Sequence, residues 1–298
     1  MALPRSRVLG IALAGVVCLG GAVAAYEIHA THVFFEPANL LSRFPVEDAA
    51  VLSADFALLR KAGMLNESKT ALEPDYRNFV DGTGFDYKRD LDSVTASFSA
   101  SGNYFIARGR FDWKKLRAWA AQQGGSCYQD LCRMQGSTPG RRISFLPLRG
   151  DTIALAVSTN DLAASRLANA GAPVTGNIPS APVWLSLPGA ALKGVTVAGG
   201  LEGILTALEH TDRVVVTVQP SGNNIEARME ASCKSPTDAG VLASQLRIAT
   251  NALRDALASD KDELAAMLKS GTFDETGSRV IGHWPVQKTL LDSLTAGI

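Results

Sequence analysis

Apolar and polar residues alternate with period two in several stretches of this chain. In "DSVTASFSASGNYFIARGRF", Asp92 to Phe111, the residues Val94, Ala96 and Phe98 alternate with Thr95 and Ser97, and Phe105, Ala107 and Gly109 resume the alternation. That period predicts two half-buried strands, and the Ser101-Gly102 pair between them predicts a hairpin turn. A two-residue loop there sets Phe98 opposite Phe105, Ala96 opposite Ala107 and Val94 opposite Gly109, with every apolar position on one face. The pattern recurs 120 residues later, in "DRVVVTVQPSGNNIEARMEA" from Asp212 to Ala231, where Ser-Gly-Asn and Ala-Arg align without a gap. The same logic pairs Val218 with Ile225, Val216 with Ala227 and Val214 with Met229. A third hairpin, "RRISFLPLRGDTIALAV", is expected to turn at Gly150-Asp151, with Leu148 opposite Ile153 and Leu146 opposite Leu155. Its counterpart is "TFDETGSRVIGHWPV", turning near Thr276-Gly277-Ser278.

Between the strands the period changes to 3.6. Asp112 is placed to cap "WKKLRAWAAQQ", which sets Trp113, Leu116 and Ala120 on one face. After Ser235-Pro236, Leu242, Leu246, Ala249, Leu253 and Leu257 form one stripe. Short helices are expected in "NDLAASRLANAG" and "QKTLLDSLTAG". A further strand-and-helix pair precedes each first hairpin, in Ala49–Leu65 and in Ala181–Gly194, at an offset nearer 130. The expected architecture is α+β: two tandem copies of a β-α-β-β-α-β-β-α module with antiparallel sheets and the helices on one face. The first copy spans residues 44–170 and the second 181–298, joined by a Gly- and Pro-rich linker at 171–180, and a pseudo-symmetric pairing is expected.

The N-terminus breaks the pattern. Arg5 and Arg7 end a stub of residues 1–7, and residues 8–26 carry no charge. That length just spans a bilayer as a helix, and the basic flank places the N-terminus inside and the bulk outside. Two readings compete: a cleavable signal ending near Ala22–Ala24, which would leave a secreted protein, or a signal anchor, which the length favours. Residues 27–43 then form a stem. The expected location is the bacterial inner membrane, crossed once, with the bulk periplasmic.

Composition adds exclusions. Lysine plus arginine and aspartate plus glutamate number 29 each, so no basic footprint for nucleic acid exists. Cys127 and Cys132 bracket "YQDL"; if Gln129-Asp130 turns, they face each other across a hairpin within disulfide reach. Cys233 reads as a buried thiol. No G-x-S-x-G, H-E-x-x-H, P-loop or S-x-x-K occurs, and His210 and His283 have no evident nucleophile beside them. Glu27, His29 and His32 have a spacing able to hold a metal on a helix, but a polar stem starting where lipid ends explains them better. The acids of "DGTGFDYKRDLD" lack calcium-loop spacing and read as a turn-rich loop. "RGD" at Arg149–Asp151 reads as the hairpin turn. Arg108 and Arg228 occupy equivalent places in the repeat on the polar face, Arg110 follows on that face, and these three are the candidate interaction residues. No catalytic residue, metal site or cofactor is expected.

"FPVEDAAVLSADFALL", "GTGFDYKRDLDSV" and "ARGRFDWKKLRAWA" resemble stretches of uncharacterised exported bacterial proteins. The likeness covers Phe44 to Ala120 and implies an exported α+β protein without a transferable activity. The second half departs at the motif, with Glu230-Ala231-Ser232 standing for Arg110-Phe111-Asp112. The expected function is that of a non-enzymatic, membrane-anchored extracytoplasmic module with a protein partner in the cell envelope. The alternative is a protein that binds a small or lipid-like ligand between the two repeats, against Trp184 or Trp284.

Overall fold

The computed structural model describes residues 34–63, 65, 74–172, 174, 177–195, 202–221, 224–256 and 263–286. The segment expected to anchor in the membrane, the Glu27/His29/His32 group and the expected "QKTLLDSLTAG" helix lie outside them. Among the described residues no helix is long and apolar enough to cross a membrane.

Two compact units are present. The described parts of 1–43 and 170–178 form the smaller one. Its helix α1, Pro37–Leu41, starts on a proline, and the chain closes back where Gly171 N donates to Ser42 O at 2.8 Å. The described parts of 44–169 and 179–298 form the larger unit, which holds every strand.

In chain order the larger unit runs β1 Ala50–Asp55, α2 Phe56–Lys61, α3 Pro74–Thr83, α4 Tyr87–Asp90, β2 Leu91–Ser99, β3 Gly102–Gly109 and α5 Trp113–Gln122. It continues through β4 Ser126–Tyr128, β5 Leu131–Gln135, β6 Arg142–Arg149, β7 Thr152–Ser158 and a 3-10 helix at Ala163–Ala168. The second half has β8 Val183–Pro188, a 3-10 helix at Gly189–Leu192, α6 Glu202–Leu208, β9 Arg213–Ser221, β10 Asn224–Ser232, α7 Pro236–Ala256, α8 Glu263–Lys269, β11 Thr272–Thr276 and β12 Arg279–Val286. Among the described residues all twelve strands form one antiparallel sheet, ordered β11-β12-β10-β9-β8-β1-β2-β3-β7-β6-β5-β4. The halves meet edge to edge at the β1–β8 pair, where Ser53 lies opposite Trp184. Outward from that pair, β1-β2-β3-β7-β6 on one side runs parallel to β8-β9-β10-β12-β11 on the other, and only the first side continues into β5 and β4.

The register corrects the expected pairs. Ser99 pairs with Gly102, so the first hairpin turns at Ala100-Ser101, one residue early, and Ala96 faces Phe105. Gly102 belongs to the strand because β7 passes close by: a Cβ there would lie 2.7 Å from the Val157 carbonyl oxygen. In the second hairpin Ser221 pairs with Asn224, one residue late, and Ala227 faces Val218. Both shifts move partners by two positions, so each side chain keeps its face. The β6–β7 hairpin turns at Gly150-Asp151 as expected, but a bulge between Pro147 and Arg149 puts Leu146 opposite Ala154 and Phe145 opposite Leu155. Pro147 has no N–H for the ladder, and bulges are where sheets tolerate proline.

One side of the sheet is covered by α-helices. Asp112 caps α5 by accepting from Lys115 N at 3.1 Å, and Leu116 and Ala120 pack with Phe145, Ile153 and Cys132. Ser235 Oγ accepts from Asp238 N at 3.1 Å to start α7, whose Leu242, Ala243 and Leu246 pack with Val214, Met229, Ala231 and Val280. Two helices were not visible in the pattern. The acid-rich segment expected to be a loop forms the end of α3 and all of α4. "NDLAASRLANAG" is helical, but as a 3-10 helix on the opposite side of the sheet, so the helices do not all share one face.

On that far side the two halves differ. In the first half Thr95, Ser97, Tyr104, Ile106, Ser144, Thr152, Ala154 and Ala156 are buried. The segment 44–49 crosses them, held where Ser97 Oγ donates to Pro45 O, and the 3-10 helix is held where Ala164 N donates to Ser144 Oγ at 3.0 Å. Small hydroxyl residues are thus buried and hydrogen-bonded, Ser97 and Ser144 to backbone and Thr95 and Thr152 to the side chains of Ser53 and Asp151.

Candidate interaction surface

The sheet register places each candidate arginine. The hairpin turns lie 122 residues apart, so Arg228 corresponds to Ile106, and Arg108 to Glu230. Arg108 and Arg228 are therefore not equivalent, although both project from the far side. Arg110 lies beyond the end of β3 and is not part of that row. Five strand spacings separate β3 from β10, roughly 24 Å, so the structure does not bring these arginines into one groove.

Each has a carboxylate partner. Arg108 Nε donates to Asp151 Oδ2 at 2.8 Å, which engages the aspartate of the "RGD" turn. Partial burial pushes the Asp151 carboxyl up, but hydrogen bonds from Thr152 Oγ1 and Arg108, with the Arg108 charge, outweigh it and hold it below the usual range. Arg110 pairs with Asp90 Oδ1 at 3.1 Å and also donates to the Arg89 carbonyl oxygen. Asp90 is nearly buried and receives the Arg89 guanidinium at 2.6 Å and the Asp86 N–H at 3.0 Å. The Arg89 hydrogen bonds dominate, burial opposes them, and the carboxyl is held at about 2. Asp86 caps α4 by accepting from Lys88 N at 3.0 Å, and it accepts from Tyr76 OH at 3.1 Å. Burial foremost, with Asp86 adding to it, pushes the Tyr76 phenol up to about 12. Asp92 binds Arg60 at 2.8 Å. Asp86, Asp90 and Asp92 are thus engaged by protein groups, and no metal-binding cluster occurs among the described residues.

A pH test follows. The Asp90 carboxyl is depressed from 3.8 to about 2, so its stabilisation is complete above 3.8 and disappears as pH falls toward 2. Its arginine partners are largely exposed and screened, which limits the effect to about 1–2 kcal/mol. Urea unfolding midpoints of wild type are expected to fall more steeply over that interval than those of Asp90→Asn. Parallel curves would show that the ion pairs contribute nothing.

Arg228 sits in a different setting. On the far side of the second half, the positions matching buried Ile106, Ser97 and Ala154 hold Arg228, Gln219 and His283, all half-buried. Glu230 accepts from Arg279 at 2.9 Å and lies 3.6 Å from Arg228. His283 Nδ1 meets Glu226 at 2.6 Å, and Arg213 donates to Ser186 Oγ at 2.9 Å. The Arg228 side chain is 40% exposed and that of Arg279 49%, whereas Ile106 is buried. Among the described residues the result is a strand surface on which opposite charges neighbour each other beside Val215 and Ile281. Sequence reasoning singled out Arg228 alone; Glu226 and Glu230 flank it on the same face of β10, and Arg279 and His283 join it through the β10–β12 pairing.

The cysteine hairpin forms as expected. Cys127 and Cys132 are paired residues of β4 and β5, their Cα atoms 3.9 Å apart, and they form a disulfide on the edge strand. Closing so short a loop contributes about 2 kcal/mol by chain entropy. Reduction, or the Cys127→Ser/Cys132→Ser double change, is expected to lower the unfolding free energy by about that amount, and an unchanged urea midpoint would contradict it. Cys233 is half-buried beside the α7 core, and burial foremost raises its thiol, which fits an inert residue.

No family model matches the chain. No curated protein matches it. Among solved structures, the chain is similar to crystal form III of TP0453, with 10% identity and a TM-score of 0.50, over 87% of this chain and 98% of that one. Crystal form I of the same protein gives 11% identity and a TM-score of 0.48, with 87% and 98% covered. At 10% identity the first of these likenesses is one of fold, and it extends over nearly the whole of the matched chain.

Proposed function

We propose that this chain is a duplicated, membrane-tethered extracytoplasmic module that binds a protein partner in the cell envelope through the far side of β9, β10 and β12. The carrying observation is the contrast across the sheet. The first half buries Tyr104, Ile106 and small residues on most of its far side, with Arg108 at its end, whereas the second half presents several long, partly exposed charged side chains there. Neighbouring opposite charges on a partly exposed face suit recognition of a complementary protein surface, where such patterns set register and partner choice more than raw affinity. The tether rests on the uncharged stretch of residues 8–26, and the duplication on the matching strand order about the β1–β8 pair. The resemblance to exported bacterial proteins agrees with the envelope setting.

The test is affinity capture of the full chain from crosslinked native membranes, against Arg228→Glu/Glu230→Arg/Arg279→Glu. This triple change inverts the charges at 228, 230 and 279 and keeps the 228–230 and 230–279 pairs opposite in sign, while setting Glu226 beside a like charge at 228. A partner captured by wild type and lost by the variant, at an equal unfolding midpoint, is the expected result. Equal capture by both would refute the surface. A second arm replaces residues 1–26 by a cleavable signal; retention of the partner there would refute the need for a tether.

A further inference from the structure

We propose a second, separate binding site, for a dipeptide-sized zwitterion with an apolar side chain, in a cleft of the first half. The cleft has a volume of about 470 Å³ and is formed by the 44–48 segment, the β2–β3 turn and Arg166 of the 3-10 helix. That size falls within the span of small-molecule sites, roughly 300–1,000 Å³. The site does not rest on the protein-binding surface, which lies on the other half.

Its walls are preformed. Ser97 Oγ donates to Pro45 O and fixes the first wall. Ser158 Oγ donates to Ser101 O at 2.7 Å and fixes the turn. Ser144 Oγ accepts from Ala164 N at 3.0 Å and fixes the helix that carries Arg166. All three serines are buried, so three separate pieces of chain are tied to the sheet around one concavity. At the position of Ser97 the second half has Gln219, so this tie belongs to the first half alone.

The chemistry of the lining names the ligand class. The Arg166 side chain makes no hydrogen bond or ion pair with any described residue, and neither Glu47 nor Asp48 has a salt-bridge partner among them. One cation and two anions therefore border the same cleft without neutralising each other. Phe44, Pro45 and Val46 add apolar surface, with Phe44 buried. A molecule with an ammonium at one end, a carboxylate at the other and an apolar body satisfies all three features together. A simple anion would leave the two acids facing it, and a simple cation would leave Arg166 facing it.

The test titrates the full chain, purified in mild detergent, with the dipeptide Leu-Leu by ligand-observed saturation-transfer NMR. Saturable binding with a dissociation constant near or below about 1 mM is expected. Exposed charge pairs are individually weak, so N-acetylation or C-amidation of the probe is expected to weaken binding about five-fold each. Arg166→Gln should weaken Leu-Leu by the same factor and leave the C-amidated probe unaffected. Glu47→Gln/Asp48→Asn should do likewise for the N-acetylated probe. These residues are exposed, so folding is expected to survive, and the urea midpoint checks it. Absence of saturable binding below about 10 mM, or binding indifferent to end-capping or to Arg166→Gln, would overturn the site.

Discussion

Replacing Leu246 by alanine is expected to lower the unfolding free energy by about 3 kcal/mol. Leu246 is fully buried in the middle of α7, in the cluster that joins α6 and α7 to Val214, Met229, Ala231 and Val280. Truncation removes buried methyl groups and leaves a cavity between a helix and a sheet, neither of which can collapse freely. Leu242 and Ala243 hold the helix on both sides of the gap. The corresponding drop in melting temperature is on the order of 5–10 °C. Ile248, on the outer face of the same helix and 69% exposed, serves as the control, and Ile248→Ala should shift the midpoint little. Equal losses at both positions would mean that the helix is held by its intrinsic propensity and not by its packing on the sheet.

Gly189→Ala is expected to cost about as much for a different reason. Gly189 follows β8, and a Cβ there would lie 2.0 Å from the Thr211 carbonyl oxygen and 2.9 Å from its carbonyl carbon. These are backbone atoms and cannot swing aside. Thr211 is itself buried, with its Oγ1 donating to Leu208 O at 2.7 Å, and Gly189 N donates to Asp212 O at 3.3 Å. One methyl group must therefore separate the end of β8 from the turn that leads into β9. A loss of about 3 kcal/mol is expected in urea unfolding. Gly150, with nothing near its Cβ position, is the matched control, and Gly150→Ala should stay within about 0.5 kcal/mol of wild type. A silent Gly189→Ala would show that the β8–β9 approach is slack.

Much of the sheet was legible from alternation alone. In the two Ser-Gly hairpins face assignments survived wrong pairings, because shifts by two positions preserve the side of every residue, whereas the one-residue bulge in β6 turned Leu146 to the face of Ala154. Asp112 as a cap and the cysteine pair across Gln129-Asp130 were legible because each depends on neighbours within a few positions. The bulge at the β6–β7 hairpin was hidden, since Leu146 and Leu148 continue an unbroken alternation. Helices α3 and α4 were hidden because their sequence is polar and glycine-containing, and Asp90 is buried only by virtue of Arg89 and Arg110. The difference between the two far sides was also out of reach. Thr95 and Ser97 look like solvent-facing partners of Phe98, and only their hydrogen-bonding and cover reveal them as interior. Arg228 was found as a residue with Glu226 and Glu230 beside it on β10, but His283 and Arg279 come from a strand more than fifty positions away. The cleft joins three segments that no local pattern connects.

The most direct test of the proposed surface is site-specific photocrosslinking of the full chain in native membranes. A photoreactive side chain would replace Thr217, on the far side of β9 opposite Arg228, and in a second protein Ile248, on the outer face of α7. The account predicts one discrete crosslinked species from position 217 and none from position 248. A species from position 248 alone, equal species from both, or none from either would contradict it.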